Sequence, residues 1–121
     1  MSLVIYVDCN DLNGLAKQLQ NETDSYDKSK ALIQAVQCGY IDMVELLLLN
    51  GAYVDTFEGM PLKMAVYMNN RKMAKFLLDN GARIHADDEE SFQICVEKKF
   101  FKMTELLTNH KKNTRVKSAR K

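Results

Sequence analysis

The chain of 121 residues has little of what would place it in several large protein classes. It contains one proline and five glycines, too few for a linker-rich or disordered chain. Its three cysteines, Cys9, Cys38 and Cys95, are an odd number without C-x-x-C spacing, which argues against a disulfide framework or a zinc site. Because unpaired cysteines are typical of reducing compartments, we expect a cytoplasmic protein, with the nucleus as an alternative.

Long apolar segments are also missing. The four leucines at 46–49 and the apolar segment 3–7 are far shorter than the roughly 18 residues that span a bilayer. The N-terminal segment lacks the basic region of a secretory signal peptide. We therefore expect neither a membrane association nor secretion through a signal peptide.

The net charge of +1 conceals an uneven distribution. Residues 111–121 contain six Lys or Arg and no acid, which leaves a net charge of −5 for residues 1–110. We expect this segment to be a solvated, disordered tail, since it is polar and charged. Two other interpretations are contact with nucleic-acid phosphates and contact with acidic connectors of this chain or of a second copy. The basic residues are Lys111, Lys112, Arg115, Lys117, Arg120 and Lys121.

A period of 30 residues is the strongest pattern in the sequence. Segment 30–56 aligns with 60–86, and a third copy occupies 90–111. Apolar residues recur at matched positions while polar residues vary, as expected when each unit buries one face on the next. Six columns agree without gaps: Leu32/Leu62/Phe92, Ala35/Ala65/Cys95, Val36/Val66/Val96, Met43/Met73/Met103, Leu46/Phe76/Leu106 and Leu47/Leu77/Leu107.

Each copy has the pattern of two short helices. Apolar residues follow i, i+3, i+4 spacing on both sides of a break at 38–40 and again at 68–70. The second helix is expected to end at 50–51 and at 80–81, where Asn-Gly supplies a left-handed residue. Pro61 falls just inside a predicted helix start, where its missing N–H is harmless. The sequence therefore predicts an all-α solenoid of stacked helix-turn-helix units.

A weaker copy, offset by 29 residues, occupies 3–21. Its second helix carries Lys17 and Gln18 in place of apolar residues, as expected of a terminal unit with one face towards water. The predicted boundaries are a degenerate capping repeat with its connector (22–29) at 1–29, repeats at 30–59 and 60–89, a C-terminal repeat at 90–110 and the basic tail at 111–121.

These units resemble ankyrin repeats, whose first helix starts with T-P-L-H-x-A. Residues 60–65, MPLKMA, keep the Pro, Leu and Ala of that motif. Residues 39–48 are similar to the family's segment between the helices, and 50–55 and 80–85 are similar to its G-A-D-V-N exit. The Thr and His of the start are missing, and the period is 30 rather than about 33 residues. The resemblance covers 3–110 and implies a protein-interaction module, acting as an inhibitor or an adaptor.

The resemblance also implies where a partner binds. In the family, the ends of the first helices and the tips of the connectors line a concave surface. We expect Tyr53, Phe57, Tyr67 and Met68 to form its centre with an acidic rim. An alternative is that Tyr53 and Phe57 pack against neighbouring connectors. The other predicted lining residues are Gln37, Cys38, Asp55, Arg83, His85, Asp87, Asp88, Glu97 and Lys98.

Catalytic and cofactor-binding patterns are not evident. His85 and His110 have no cysteine or serine partner placed by the repeats, and no glycine-rich phosphate-binding loop occurs. The four acids at 87–90 precede a predicted helix and favour its dipole, whereas metal ligands must converge on a point. We expect no enzymatic activity, no metal and no cofactor.

Other interpretations stay open at the level of sequence. A nucleic-acid-associated adaptor would use the basic tail, although no aromatic residue there could stack on bases. The short, divergent repeats are also similar to those of viral and bacterial effectors that antagonise a host protein. A weak homo-oligomer, as opposed to a monomer, would associate through Phe100 and Phe101 at the end of the stack. Asp55 and His85 match a position that is often hydroxylated in the family.

Overall fold

The computed structural model describes residues 3–21, 24–83 and 89–119. Within these ranges the secondary structure is helical, without strands, and no helix is both long and apolar enough to cross a bilayer. The helices form four consecutive pairs, which confirms the predicted all-α, helix-turn-helix architecture. In chain order they are α1 (Val4–Asp8), α2 (Leu12–Leu19), α3 (Ser25–Cys38), α4 (Ile41–Leu49), α5 (Thr56–Tyr67), α6 (Arg71–Asp79), α7 (Glu89–Glu97) and α8 (Phe101–Ala119).

The pairs stack into two layers. The first helices, α1, α3, α5 and α7, contact one another in series, and the second helices form the outer layer through contacts of α2 with α4 and of α6 with α8. The first-helix layer is packed more closely than the outer layer. The exposed sides of the first helices form one face of the stack, which corresponds to the predicted concave surface and which we call the concave face.

The core is built from the repeated apolar columns. Two columns of the outer layer, each side chain 1% exposed or less, are buried in all three copies: Met43, Met73, Met103, Leu47, Leu77 and Leu107. Burial of one such side chain contributes about 1.5–3 kcal/mol, so these columns join the pairs into one body.

The predicted column of Leu46, Phe76 and Leu106 is half-buried in every copy, and the valine column is buried unevenly. Val36 and Val66 are buried, but Val96 is 69% exposed. The first two valines belong to pairs that are followed by another pair, whereas α7–α8 is the last pair that the structure describes. Phe100 is half-buried against the core and Phe101 is exposed, so only the first of these two rings helps to close the end of the stack.

The turn within each pair uses one left-handed residue. Asn10, Gly39, Asn69 and Lys99 occupy equivalent positions, with φ of 53°, 78°, 54° and 59°. A left-handed residue with a side chain costs roughly 1–2 kcal/mol, which asparagine reduces by local hydrogen bonding. The geometry of this turn is therefore retained in all four pairs even where the residue does not favour it.

The connector between the second and third pairs makes a sharper turn. Phe57, Glu58 and Gly59 have φ of 49°, 56° and 81°, so three consecutive left-handed residues interrupt α5. The right-handed part follows at 60–67, with Pro61 at its start as predicted. Non-glycine residues in this region cost of order 1–3 kcal/mol each, so the surrounding contacts must hold the turn.

Two contacts hold this connector against the preceding pair. Thr56 Oγ1 donates a hydrogen bond to Ser29 Oγ over 2.8 Å, and both residues are buried. Lys28 Nζ donates to the carbonyl of Asn50, also over 2.8 Å. The first bond links the second and third pairs, in a chain that lacks the Thr and His of the family motif. The second fixes the start of the connector to α3 within the second pair.

The structure differs from the predicted boundaries in two places. The predicted connector 22–29 is partly helical, because the Asp24 carboxylate accepts a hydrogen bond from the N–H of Tyr26 and α3 begins at Ser25. At the other end α8 continues to Ala119, so 111–119 has a helical backbone where a disordered tail was predicted. No glycine or proline follows His110, and Lys, Arg and Ala favour helices.

Candidate functional site on the concave face

The four side chains predicted at the centre of the concave surface are all exposed. Tyr53 is 58% exposed, Phe57 46%, Tyr67 54% and Met68 48%. Gln37, Arg83 and Glu97 are exposed as well, whereas His85, Asp87 and Asp88 lie outside the described residues.

The structure divides the predicted centre into two groups. Phe57 precedes the right-handed part of α5, and Tyr67 is its last residue. Eight helical residues separate them by about 12 Å. Tyr53 belongs to the connector side with Phe57, and Met68 belongs to the turn after α5. A single central cluster of these four side chains is therefore not formed.

At the first of these sites, which we call the connector cluster, Tyr26, Lys30 and Phe57 meet. The rings of Tyr26 and Phe57 are 6.0 Å apart and nearly perpendicular, at 86°, and Lys30 Nζ lies 5.2 Å from the Tyr26 ring. Edge-to-face rings and a cation over a ring are both favourable arrangements. Phe57 thus packs on α3 of the preceding pair. Tyr26 was not among the predicted residues because segment 22–29 had no assigned helical register.

The second site, which we call the turn cluster, consists of Tyr67, Met68 and Lys98. Lys98 Nζ lies 4.6 Å from the centre of the Tyr67 ring, although the two residues belong to different pairs. Cys38, Met68 and Lys98 occupy equivalent positions at the ends of the first helices, so the cluster is part of a row across the stack. Its exposed aromatic, thioether and ammonium groups offer three kinds of contact at adjacent positions.

The same row extends towards the N-terminus through polar groups. Gln34 Nε2 donates a hydrogen bond to Asp8 Oδ1 over 2.9 Å and lies 3.8 Å from Cys38 Sγ. The concave face therefore changes from an amide and a carboxylate near α1 to aromatic and cationic groups near α7.

Asp55 is the predicted contact residue that the structure contradicts. Its side chain is only 6% exposed, and its carbonyl accepts a hydrogen bond from the N–H of Gly59 over 3.1 Å. The left-handed turn at 57–59 folds the chain back over this residue. In the described conformation a partner on the concave face does not reach it.

The cysteines differ in their accessibility. Cys9 and Cys38 are exposed and Cys95 is buried. Burial raises the pKa of the Cys95 thiol, and a hydrogen bond with Thr104 opposes this shift. Among the described residues no group of three or more His, Cys, Asp or Glu could hold a metal ion. The arrangement on the concave face is suited to non-covalent contact.

Comparison with known proteins adds one finding to this geometry. The family model described as ankyrin repeats, in three copies, matches residues 3–88, well over half of the chain. The matched segment contains the first three helix pairs, together with Tyr67 and Met68. No curated protein and no solved structure matches the chain.

Proposed function

Because the chain belongs to the ankyrin-repeat family, whose members are generally protein–protein interaction modules, we propose that it is a non-enzymatic inhibitor or adaptor that binds a partner protein on its concave face. The observation that carries this proposal is the turn cluster. Tyr67 and Met68 are about half exposed beside Lys98, at the end of the first helices on the concave face. Tyr and Met are enriched in the cores of protein interfaces.

Rigid presentation is the mechanism that supports binding. The buried columns fix the helix pairs, and the cation of Lys98 at 4.6 Å restricts the Tyr67 ring before a partner arrives. Binding then loses little side-chain entropy, so more of the contact energy contributes to affinity. Met68 is unbranched and flexible, and can adapt to the shape of the partner.

The exposed groups of the turn cluster indicate which side chains a partner segment would need in order to bind there. An apolar side chain placed against Tyr67 and Met68 would bury their exposed surface. A carboxylate nearby would pair with the ammonium of Lys98, whose other contact is a neutral ring. The proposed ligand is therefore a protein segment with an apolar anchor beside an acidic residue.

The test uses the double variant Tyr67→Ala with Met68→Ala. The partner is first isolated from the native cells by cross-linking and then purified, and its affinity is measured by calorimetry. Loss of a hot spot of about 2 kcal/mol would weaken binding about thirtyfold. The matched control is Leu49→Ala, an exposed apolar residue at the end of α4 in the outer layer, which should leave the affinity unchanged.

Equal affinities of the double variant and the wild type, with circular dichroism showing both folded, would refute the concave-face proposal. An equal loss of affinity in Leu49→Ala would place the interface on the outer layer.

A further inference from the structure

The outer layer of the stack changes charge from one end to the other. Residues 71–121 contain 13 of the 17 Lys and Arg but only seven of the 16 Asp and Glu. At equivalent positions in the first turns of α4, α6 and α8 stand Asp42, Lys72 and Lys102, all of them exposed. The outer surface is thus acidic in the second pair and basic in the last two pairs.

A groove of about 530 Å³ between α6 and α8 collects these basic residues. Four of its seven lining residues are basic and one is acidic: Arg71, Lys72, Lys75, Lys102, Glu105, Leu106 and Asn109. Lys75 Nζ lies 3.3 Å from Asp79 Oδ2, but both side chains are more than 60% exposed. An exposed pair of this kind is weak, so the ammonium of Lys75 remains available to a stronger anionic partner.

The corresponding groove between α2 and α4 has the same architecture and the opposite charge. It measures about 380 Å³ and contains two acids and no base: Leu12, Asn13, Ala16, Asp42, Glu45, Leu46 and Leu49. Lys75 stands where this second groove has Ala16, and Lys102 stands where it has Asp42. Positive charge is therefore not a requirement of packing two outer helices together.

The basic residues are also unfavourably placed for helix stability. A helix N-terminus favours acidic side chains, yet Arg71, Lys72 and Lys102 lie in the first turns of α6 and α8, where no acid is present. The first turn of α4 follows the usual preference, with Asp42. Folding alone would not select lysine and arginine at these positions, which favours a role in binding an anion.

We infer that the groove between α6 and α8 binds the phosphate backbone of duplex nucleic acid without reading its bases. Leu106, which is half-buried, is the one apolar residue that lines the groove, whereas four lining residues are cationic, so charge is the main feature that the groove offers a ligand. None of its lining residues is aromatic, which disfavours single strands that bind by stacking. Lysine and arginine neutralise phosphates without base contacts.

The length of α8 fits an extended anion. Its 19 residues span about 28 Å at 1.5 Å per residue. This equals about eight base pairs of duplex. Beyond the groove, the helical segment 111–119 adds Lys111, Lys112, Arg115 and Lys117 in sequence. The proposed surface lies on the outer layer, separate from the concave face, and does not depend on the protein-binding proposal.

In the test, the full chain is added to a fluorescently labelled duplex of about 20 base pairs, and the anisotropy of the label gives the affinity at each of a series of salt concentrations. The double variant Lys72→Glu with Lys102→Glu is expected to bind at least tenfold more weakly. The slope of log affinity against log salt should decrease by about 1.8, since each phosphate contact contributes about 0.9. Lys17→Glu with Lys63→Glu, which has the same change in net charge and lies outside the groove and both clusters, is expected to bind as the wild type does.

Three results would overturn the inference. An equal loss in both double variants would attribute binding to net charge rather than to the groove. Complete loss on deletion of 111–121, with no effect of the Lys72 and Lys102 substitutions, would attribute it to the C-terminal segment alone. Competition by poly-glutamate as effective as by the unlabelled duplex would assign the groove to acidic proteins. Lys72→Gln with Lys102→Gln, checked by thermal melting, replaces the Glu variant if that one unfolds.

Discussion

The third helix pair (α5–α6) and the fourth (α7–α8) carry the same repeated apolar columns, but equivalent residues have different surroundings. Val66 is fully buried, whereas Val96, 30 positions later, is 69% exposed. Met73 and Met103, from another column, are buried in both pairs. The third pair has a neighbour on each side and the fourth follows only one described neighbour. The contribution of a repeated residue therefore depends on the next pair as much as on its own helix.

The two pairs also differ in their turns and their charge. The left-handed position is Asn69 in the third pair and Lys99 in the fourth, and only asparagine adopts this conformation readily. Lys98 in the fourth pair completes a cluster whose aromatic ring belongs to the third. The fourth pair is thus less optimised for stacking and supplies cations to both faces of the stack.

The largest expected effect is the difference in stability loss between alanine substitutions of Val66 and Val96. Val66→Ala should lower the free energy of unfolding by about 2 kcal/mol, because it removes buried methyl groups and leaves a cavity. Val96→Ala should change it by less than about 0.5 kcal/mol, as for other exposed positions. Urea denaturation measures both values. Losses of similar size would mean that Val96 is buried in solution, by a second copy or by another part of the chain.

A second prediction concerns the left-handed residue of the last turn. Lys99→Gly should raise the free energy of unfolding by about 1 kcal/mol, because glycine adopts φ near 60° without strain. Asn69→Gly should have a smaller effect, and Lys75→Gly inside α6 should lower the stability by about 1 kcal/mol. Thermal melting of the three variants checks this order. A destabilised Lys99→Gly would contradict the described turn.

The junction before the third pair is tested through its buried hydrogen bond. Thr56→Val and Ser29→Ala should each lower the free energy of unfolding by about 1 kcal/mol, because each substitution removes this bond and leaves the other residue's buried hydroxyl without it. The double variant should lose less than the sum of the two, because both substitutions remove the same bond. Additive losses would show that the hydroxyl groups do not interact.

The smallest effect concerns Cys95 in the fourth pair. Burial raises the pKa of the Cys95 thiol above its unfolded value of about 8.5. Below that value the thiol is neutral in both states and the stability of the protein does not depend on it. As the pH rises towards the folded pKa, the unfolded chain loses the proton more readily than the folded one, so the folded state becomes less stable. Between pH 8 and 10 the wild type should lose slightly more stability than Cys95→Ala. A thiol reagent at pH 8 should label Cys9 and Cys38 rapidly and Cys95 only after unfolding. Rapid labelling of all three would show that α7 is not packed as described.

Much of the fold could be predicted from the repeat columns, because a residue that stacks on the next unit must stay apolar in every copy. The ends of α4 and α6 at Asn-Gly and the start at Pro61 followed from backbone preferences. The exposure of Val96 could not be predicted from its column, because burial there depends on a following pair. The turn at 57–59 was also missed, since Phe57 and Glu58 are not residues that favour positive φ.

The candidate site was predicted less completely than the fold. The family resemblance placed Tyr67 and Met68 on the concave face, and their exposure agrees with that position. It did not show that Phe57 lies at the other end of α5, where the rise of the helix separates it from Tyr67. Asp55 was selected from its position in the exit motif, but the fold of the connector buries it.

Site-specific photo-cross-linking in extracts of the native cells tests the concave-face proposal most directly. A photoreactive residue replaces Tyr67 in one variant and Leu49, 77% exposed at the end of α4 in the outer layer, in the other. The proposal predicts that the variant at 67 forms a cross-link to a distinct protein, which excess unmodified chain competes away, and that the variant at 49 does not. The same cross-linked protein from position 49 alone, or equally from both positions, would contradict it.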